Sequence, residues 1–221
     1  MGGSVTALRF QKHAPERVNV YLDGQFAFGL AAIDAVRLRV GQYLSDADID
    51  RLQASDARQK AYDRAVRFLG YRPRSVEEVR RHLAAAAVAE DIVEAVVDRL
   101  GQEGYLNDAE FARYWVENRN QFRPRGAPAL RQELYQQGLD RPTIDEAVAG
   151  LDPAGGACEA ARPRALRLAQ LARSDPAAFR HKLGDFLLRR GFDYATVREV
   201  VARLLREVSA GEEDDLQGDD S

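Results

Sequence analysis

Leu134-Tyr135-Gln136-Gln137-Gly138-Leu139 reads as the closing turn of a helix. Gly138 stands where a Schellman turn needs a left-handed C′ residue, and Leu139 where an apolar C″ residue packs back onto the last turn. The same pattern occurs 51 residues earlier, from Leu83 through Ala87 and Val88, and 53 residues later, from Leu187 through Gly191 and Phe192. Ala87 fits worst, because a Cβ in the left-handed region costs on the order of 1 kcal/mol. After each turn comes an amphipathic stretch. Ile92, Val96, Val97 and Leu100 form the first, Ile144, Ala147, Val148 and Leu151 the second, Val197, Val200, Val201 and Leu204 the third. All keep the spacing of one helix face. Upstream, Ala61, Ala65 and Phe68 correspond to Ala161, Ala165 and Leu168.

Start signals agree with these ends. Ser75-Val76-Glu77-Glu78 has the form of a capping box, and Pro128 and Pro176 suit a first helical turn. A period near 50 residues indicates units that bury their faces against one another. The expected fold is mainly α: a tandem array of three three-helix, helix-turn-helix-like repeats, with about nine helices after residue 55. The repeats are placed at 55–106, 107–152 and 153–208, with Asp152 to Gly156 as the joint before the third.

Ahead of them, residues 1–54 carry the strand signal. Val18, Val20 and Leu22 alternate before Asp23-Gly24, and Phe26 and Phe28 alternate after it, which favours a hairpin closed by a type I′ turn. Val5 to Phe10 offers a third strand. A lone hairpin is marginal in water, so this one is expected to pack on a helix. Ser45-Asp46-Ala47-Asp48 resembles a capping box opening a short helix through Leu52.

The 221 residues hold 32 basic and 35 acidic side chains, a net charge of −3. Six of those acids fall in residues 209–221, which contain no base; without them 32 basic residues stand against 29 acidic ones. That last segment is expected to be a disordered acidic tail, since it has little apolar surface to bury. No apolar run reaches the ~18–20 residues that cross a bilayer, and no signal peptide is visible, so the expectation is a cytoplasmic protein with no membrane partner. Cys158 is the single cysteine and has no obvious base. His13, His82 and His181 lie far apart, and Asp46-x-Asp48-x-Asp50 lacks the glycine and glutamate of a calcium loop. Phosphate-binding glycine loops, nucleophile elbows and zinc motifs are missing too. No enzyme, metal or cofactor is expected.

Two features stand out. Asn118 and Arg119 replace apolar residues on the inward stripe of the second repeat, either to pair with a neighbouring helix or to line a groove facing a partner. The second feature is arginine: 29 of the 32 bases are Arg, the better residue for carboxylate and phosphate recognition. Arg-Pro-Arg recurs at 72–74 and 123–125, before the second helix of two repeats. Arg72, Arg74 and Arg81 in the first repeat, Arg123, Arg125 and Arg131 in the second, and Lys182, Arg189 and Arg190 in the third would make a basic edge. Arg72, Arg74, Arg123 and Arg125 are expected to face solvent.

Gly104-Tyr105-Leu106-Asn107-Asp108, followed by Phe111-Ala112, Arg119, Gly126 and Glu133-Leu134, resembles the central signature of the RecX family. Ser75 to Leu83, and Lys182-Leu183 with Phe186-Leu187 and Arg190-Gly191-Phe192, look like its flanking motifs. Val20 to Gly24 and Phe28-Gly29-Leu30 are similar to its extended members. The resemblance implies a non-enzymatic modulator, usually an inhibitor, of the bacterial RecA recombinase, acting in the regulation of DNA repair, homologous recombination and the SOS response. Such a protein binds the RecA–single-stranded DNA filament and limits its extension, ATP hydrolysis and strand exchange. Weak, non-specific binding to single- and double-stranded DNA and a monomeric state go with it. The alternative is a helix-turn-helix-like DNA-binding module or transcriptional regulator acting on bare DNA.

Overall fold

Asp23 and Gly24 have φ values of 47° and 85°, the two positive angles that a type I′ hairpin requires. They join β2 (Ala14–Leu22) to β3 (Gln25–Ala31), and the sheet grows further than a hairpin. β1 (Gly3–Gln11) pairs antiparallel with β2, and after the short α1 (Ala32–Ala35) comes β4 (Tyr43–Leu44) on the far side of β1. The order is β3-β2-β1-β4. Val18 faces Leu30 and Val20 faces Phe28 across the ladder, so one face of the sheet is apolar. It buries Val5, Val18, Val20, Phe28 and Leu30 with Leu38 and Leu44, and Ile49 and Leu52 pack against it. The computed structural model describes residues 2–210.

Ile49 and Leu52 belong to α2 (Asp46–Leu69), opened by the expected capping box: the Ser45 side chain accepts from the Asp48 N–H, and the Asp48 carboxylate accepts from the Ser45 N–H. The helix does not stop at Leu52. It runs unbroken through the expected boundary at 54/55, because no glycine or proline interrupts it. Asp56, buried on this helix, takes Arg17 of β2 at 3.0 Å and Lys60 at 2.7 Å, which clasps the sheet to the helix.

The repeated helix ends form as the sequence predicts. Second helices α3 (Val76–Ala84), α6 (Ala127–Gln136) and α10 (Pro176–Arg189) each finish in a Schellman turn. The N–H groups of Val88, Leu139 and Phe192 donate to the carbonyls of Leu83, Leu134 and Leu187 at 3.3, 3.3 and 3.2 Å. Ala87, Gly138 and Gly191 lie at φ 56°, 87° and 79°. Ala87 therefore carries the strain its Cβ implies.

Third helices α4 (Glu90–Gln102), α7 (Arg141–Ala149) and α11 (Tyr194–Ala210) follow. In α4 the buried stripe begins at Val93, one residue after the expected Ile92. α5 (Asp108–Phe122) is the first helix of the second repeat, capped by Asn107. In the third repeat the first helix is broken at Leu168 into α8 (Pro153–Arg167) and α9 (Ala169–Ser174), so ten helices, not nine, extend beyond residue 55 among the described residues. Asp152 to Gly156 is no linker: Asp152 caps α8, and Pro153 to Gly156 form its first turn. Ser209 and Ala210, assigned to the tail, end α11. The rest of the expected tail lies outside the described residues.

The chain forms two compact units. One comprises the sheet, α1, α2, most of α3 and α4; the other comprises α5 to α11 together with Ser75–Glu77. In the second unit Leu130, Leu134 and Ile144 close on Phe111 and Ala112, and Leu183, Leu187 and Val200 close on Ala157, Ala161 and Ala165. Among the described residues no helix is long and apolar enough to cross a membrane.

Candidate partner-binding surface

The residue before each buried leucine, His82, Glu133 or Phe186, differs in kind among the three repeats. In the first, Phe68 of α2 stacks on His82 of α3, with ring centroids 4.0 Å apart and planes 4° from parallel. The Arg74 guanidinium lies 4.0 Å from the Phe68 centroid. Glu78 holds Arg72 at 2.5 Å and Arg74 at 3.3 Å. Arg74 keeps only 16% of its side-chain exposure, so the expectation that it faces solvent is corrected, while Arg72 is 36% exposed and paired. A carboxylate one turn into the next helix binds both.

Burial, then Arg64 and Arg74, hold the His82 imidazole below its ordinary value. The unfolded chain therefore takes up this proton first. Stability from neutral His82 is intact above about pH 6.5 and declines as pH falls below that, until the folded imidazole also protonates. From about pH 7.5 to 5.5 the urea midpoint of the natural protein should drop further than that of His82→Phe, which keeps a ring on Phe68. Equal drops would exclude His82 as the source.

In the second repeat one carboxylate takes two hydrogen bonds and a further ion pair. Glu133 of α6 accepts from Trp115 Nε1 at 2.9 Å and from Arg119 Nε at 2.7 Å, and Arg125 Nη1 sits 2.9 Å from its other oxygen. Arg119 also lies 4.5 Å from the Trp115 centroid. Of the two readings of Arg119, the structure shows the pairing with a neighbouring helix. Asn118 is half-buried beside it.

Glu133 neutralises only part of the charge here. Arg123 is exposed and has no ion-pair partner among the described residues. Arg190, from the end of α10, donates to the Pro124 carbonyl at 3.2 Å and lies 4.7 Å from the Phe186 centroid; Arg164 lies 5.2 Å from the same ring. Burial, with Arg125 and Arg123 nearby, lowers the Arg190 pKa. A guanidinium does not lose its proton at neutral pH, so the shift reports first the cost of burying its charge and then the like charges of Arg125 and Arg123. Arg123, Arg125 and Arg190 thus form a cationic cluster with aromatic support, suited to a phosphate or carboxylate.

The other expected edge residues are spread out. Arg81, Lys182 and Arg189 are exposed on α3 and α10, and Arg131 is engaged by Asp145 at 3.0 Å. Trp115 and Arg164 carry no signal of their own in the sequence, and Glu133 and Phe186 enter there only through the family resemblance; the pairing of Glu133 with Arg119 has one legible sign, a 14-residue spacing shared with Phe68 to His82, 51 residues earlier. Among the described residues no group of three or more His, Cys, Asp or Glu could hold a metal ion.

Four family models match the chain in order. They are the regulatory protein RecX N-terminal domain at residues 3–45 and the RecX first, second and third three-helix domains at 61–100, 107–148 and 158–201. The chain is 37% identical over 146 residues to regulatory protein RecX of Bacillus subtilis (strain 168), covering 65% of this chain but only 55% of that protein. It is 30% identical over 201 residues to regulatory protein RecX of Leuconostoc citreum (strain KM20), covering 90% and 75% of the two chains. A crystal structure of regulatory protein RecX superposes with a TM-score of 0.70 at 26% identity, over 90% of this chain and 98% of that one.

Proposed function

This chain belongs to the RecX family, and on that premise we propose that it restrains the RecA recombinase by binding the RecA–single-stranded DNA filament. It acts as a non-enzymatic monomer that limits filament extension, ATP hydrolysis and strand exchange. The observation that carries this reading is the Arg123, Arg125 and Arg190 cluster, where Arg190 reaches back to the Pro124 carbonyl between two exposed arginines, a concentration of positive charge that an anionic partner would offset. Phosphates of a strand held in a filament, or carboxylates of the recombinase beside them, supply that charge. Arg81, Lys182 and Arg189 extend the contact, while Arg72, Arg74, Arg119 and Arg131 hold the elements that carry it.

The test is recombinase ATP hydrolysis on single-stranded DNA with and without this protein. Hydrolysis should fall at protein concentrations too low to coat bare DNA. Unchanged hydrolysis, with binding to bare DNA that carries a salt slope near −0.7 per neutralised phosphate, would favour the DNA-binding module instead.

A further inference from the structure

A groove between second and third helices opens in both the second and the third repeat, but its charges differ. In the second it measures about 1020 Å³ and lies between α6 and α7. Asp145 of α7 lines it, 3.0 Å from Arg131 of α6 and 3.6 Å from Arg141 of its own helix, so this groove carries its own counter-ion. Arg80 of α3 and Glu94 of α4 make the equivalent pair in the first repeat, at 2.8 and 2.7 Å. Both bridges span 14 residues. The corresponding positions in the third repeat, 53 residues beyond Arg131 and Asp145, are Gly184 on α10 and Arg198 on α11. The first arginine is gone, and another stands in place of the acid.

What remains between α10 and α11 is a groove of about 470 Å³. Leu188, Tyr194, Val197 and Val201 give it an apolar lining, and Leu188 and Tyr194 are 44% and 67% exposed. Gly184 leaves room in it, for a Cβ there would touch only Val197, at 3.7 Å. Asp185, the carboxylate in the lining, faces His181 of its own helix at 3.7 Å. Arg180 and Arg198 flank the groove, exposed and with no carboxylate partner among the described residues.

We propose that this groove docks an acidic helix of a protein partner, anchored by one apolar side chain. The proposal stands on the charge of the third repeat and not on the function proposed above. Arg180 and Leu188 are eight residues apart on one face of α10, roughly 12 Å, with Gly184 midway and opposite Arg198. A partner helix laid along the groove has the same rise. With an apolar residue set against Leu188 and Tyr194, its positions four and eight residues away come level with Arg198 and Arg180. Carboxylates at those positions supply from outside the counter-ion that the second repeat holds internally. Side chains at such intervals are what helix-in-groove recognition reads. A nucleic-acid strand suits the site less well, because its phosphates call for a run of cations and here two arginines flank an apolar lining.

The test titrates fluorescein-labelled peptides of about 16 residues, helical on an alanine–glutamine background, against the full chain by fluorescence anisotropy at low salt. One peptide carries Leu followed by Glu four and eight positions on; a second carries the same residues in reverse order. One of the two should bind saturably. Its affinity should fall about tenfold or more when both Glu become Gln, when Leu becomes Ala, and when the protein carries Arg198→Ala. Gly184→Arg/Arg198→Asp, which rebuilds the bridge of the second repeat, should abolish binding with the circular dichroism spectrum unchanged. Arg198→Ala alters only an exposed position, so it decides the matter if the double variant misfolds. Failure of both peptides to bind, equal binding of the Gln peptide or by Arg198→Ala, or displacement by an equimolar single-stranded oligonucleotide would each overturn the proposal.

Discussion

Gly126→Ala should lower the thermal unfolding midpoint by roughly 6–12 °C, from a cost of about 3 kcal/mol at 2–4 °C per kcal/mol for a chain of this size. A Cβ at Gly126 would lie 2.0 Å from the Gly191 carbonyl oxygen, 2.4 Å from its carbon and 2.5 Å from the Phe192 nitrogen. All three are backbone atoms, so no side-chain rotation relieves the clash. The Gly126 N–H donates to the Arg190 carbonyl at 3.1 Å, and backing away would break that bond. Gly191 is crowded in turn, because a Cβ there would lie 2.3 Å from that of Ala129. Gly150→Ala is the control: its Cβ would meet nothing within 4 Å, and its stability should stay within about 0.5 kcal/mol of the natural protein. Calorimetry showing the two variants melting together would refute this account of the seam.

On the function proposed above, Arg123→Glu/Arg125→Glu should weaken binding to the RecA–DNA filament on the order of 10- to 100-fold at moderate salt, and the salt dependence should flatten with every phosphate the variant no longer neutralises. Glu133 keeps its bonds from Trp115 and Arg119 when Arg125 is reversed, and Arg123 pairs with no carboxylate among the described residues. Folding stability should change by under about 1 kcal/mol. Arg125→Lys keeps the charge and should retain most of the binding. Full inhibition by the double reversal, measured as recombinase ATP hydrolysis, would remove the cluster from the interface.

How far sequence could foresee all this depends on the range of each interaction. Leu134 to Leu139 was legible because a Schellman turn is chemistry among six neighbours, and Asp23-Gly24 because a type I′ turn has few possible residues. The Ser45 box was legible too, but the end of its helix was not, since α2 runs on to pack against elements on both sides of the expected boundary. The Asp56 clasp could not be read, for Arg17 lies 39 residues away on another element. Arg72 and Arg74 are legible as a pair but the burial of Arg74 is not, for Arg-Pro-Arg says nothing of Glu78, six and four residues on. The cluster at Arg123, Arg125 and Arg190 was foreseen as a charge pattern. The ring beside Arg190 was hidden because Phe186 sits where an apolar core residue is the ordinary expectation.

Helix α2 has a consequence for dissecting the molecule. Its 24 residues, roughly 36 Å of unbroken hydrogen bonding, begin under the sheet and end as the first helix of the first repeat. A fragment begun at residue 55 would start in mid-beam, without Ser45 to cap it and without Arg17 to balance Asp56. The strand segment is therefore less a detachable module than the root of a cantilever. A twist or pull on the sheet arrives at Ala61 and Ala65, buried against the rest of the first repeat, with no joint in between to absorb it.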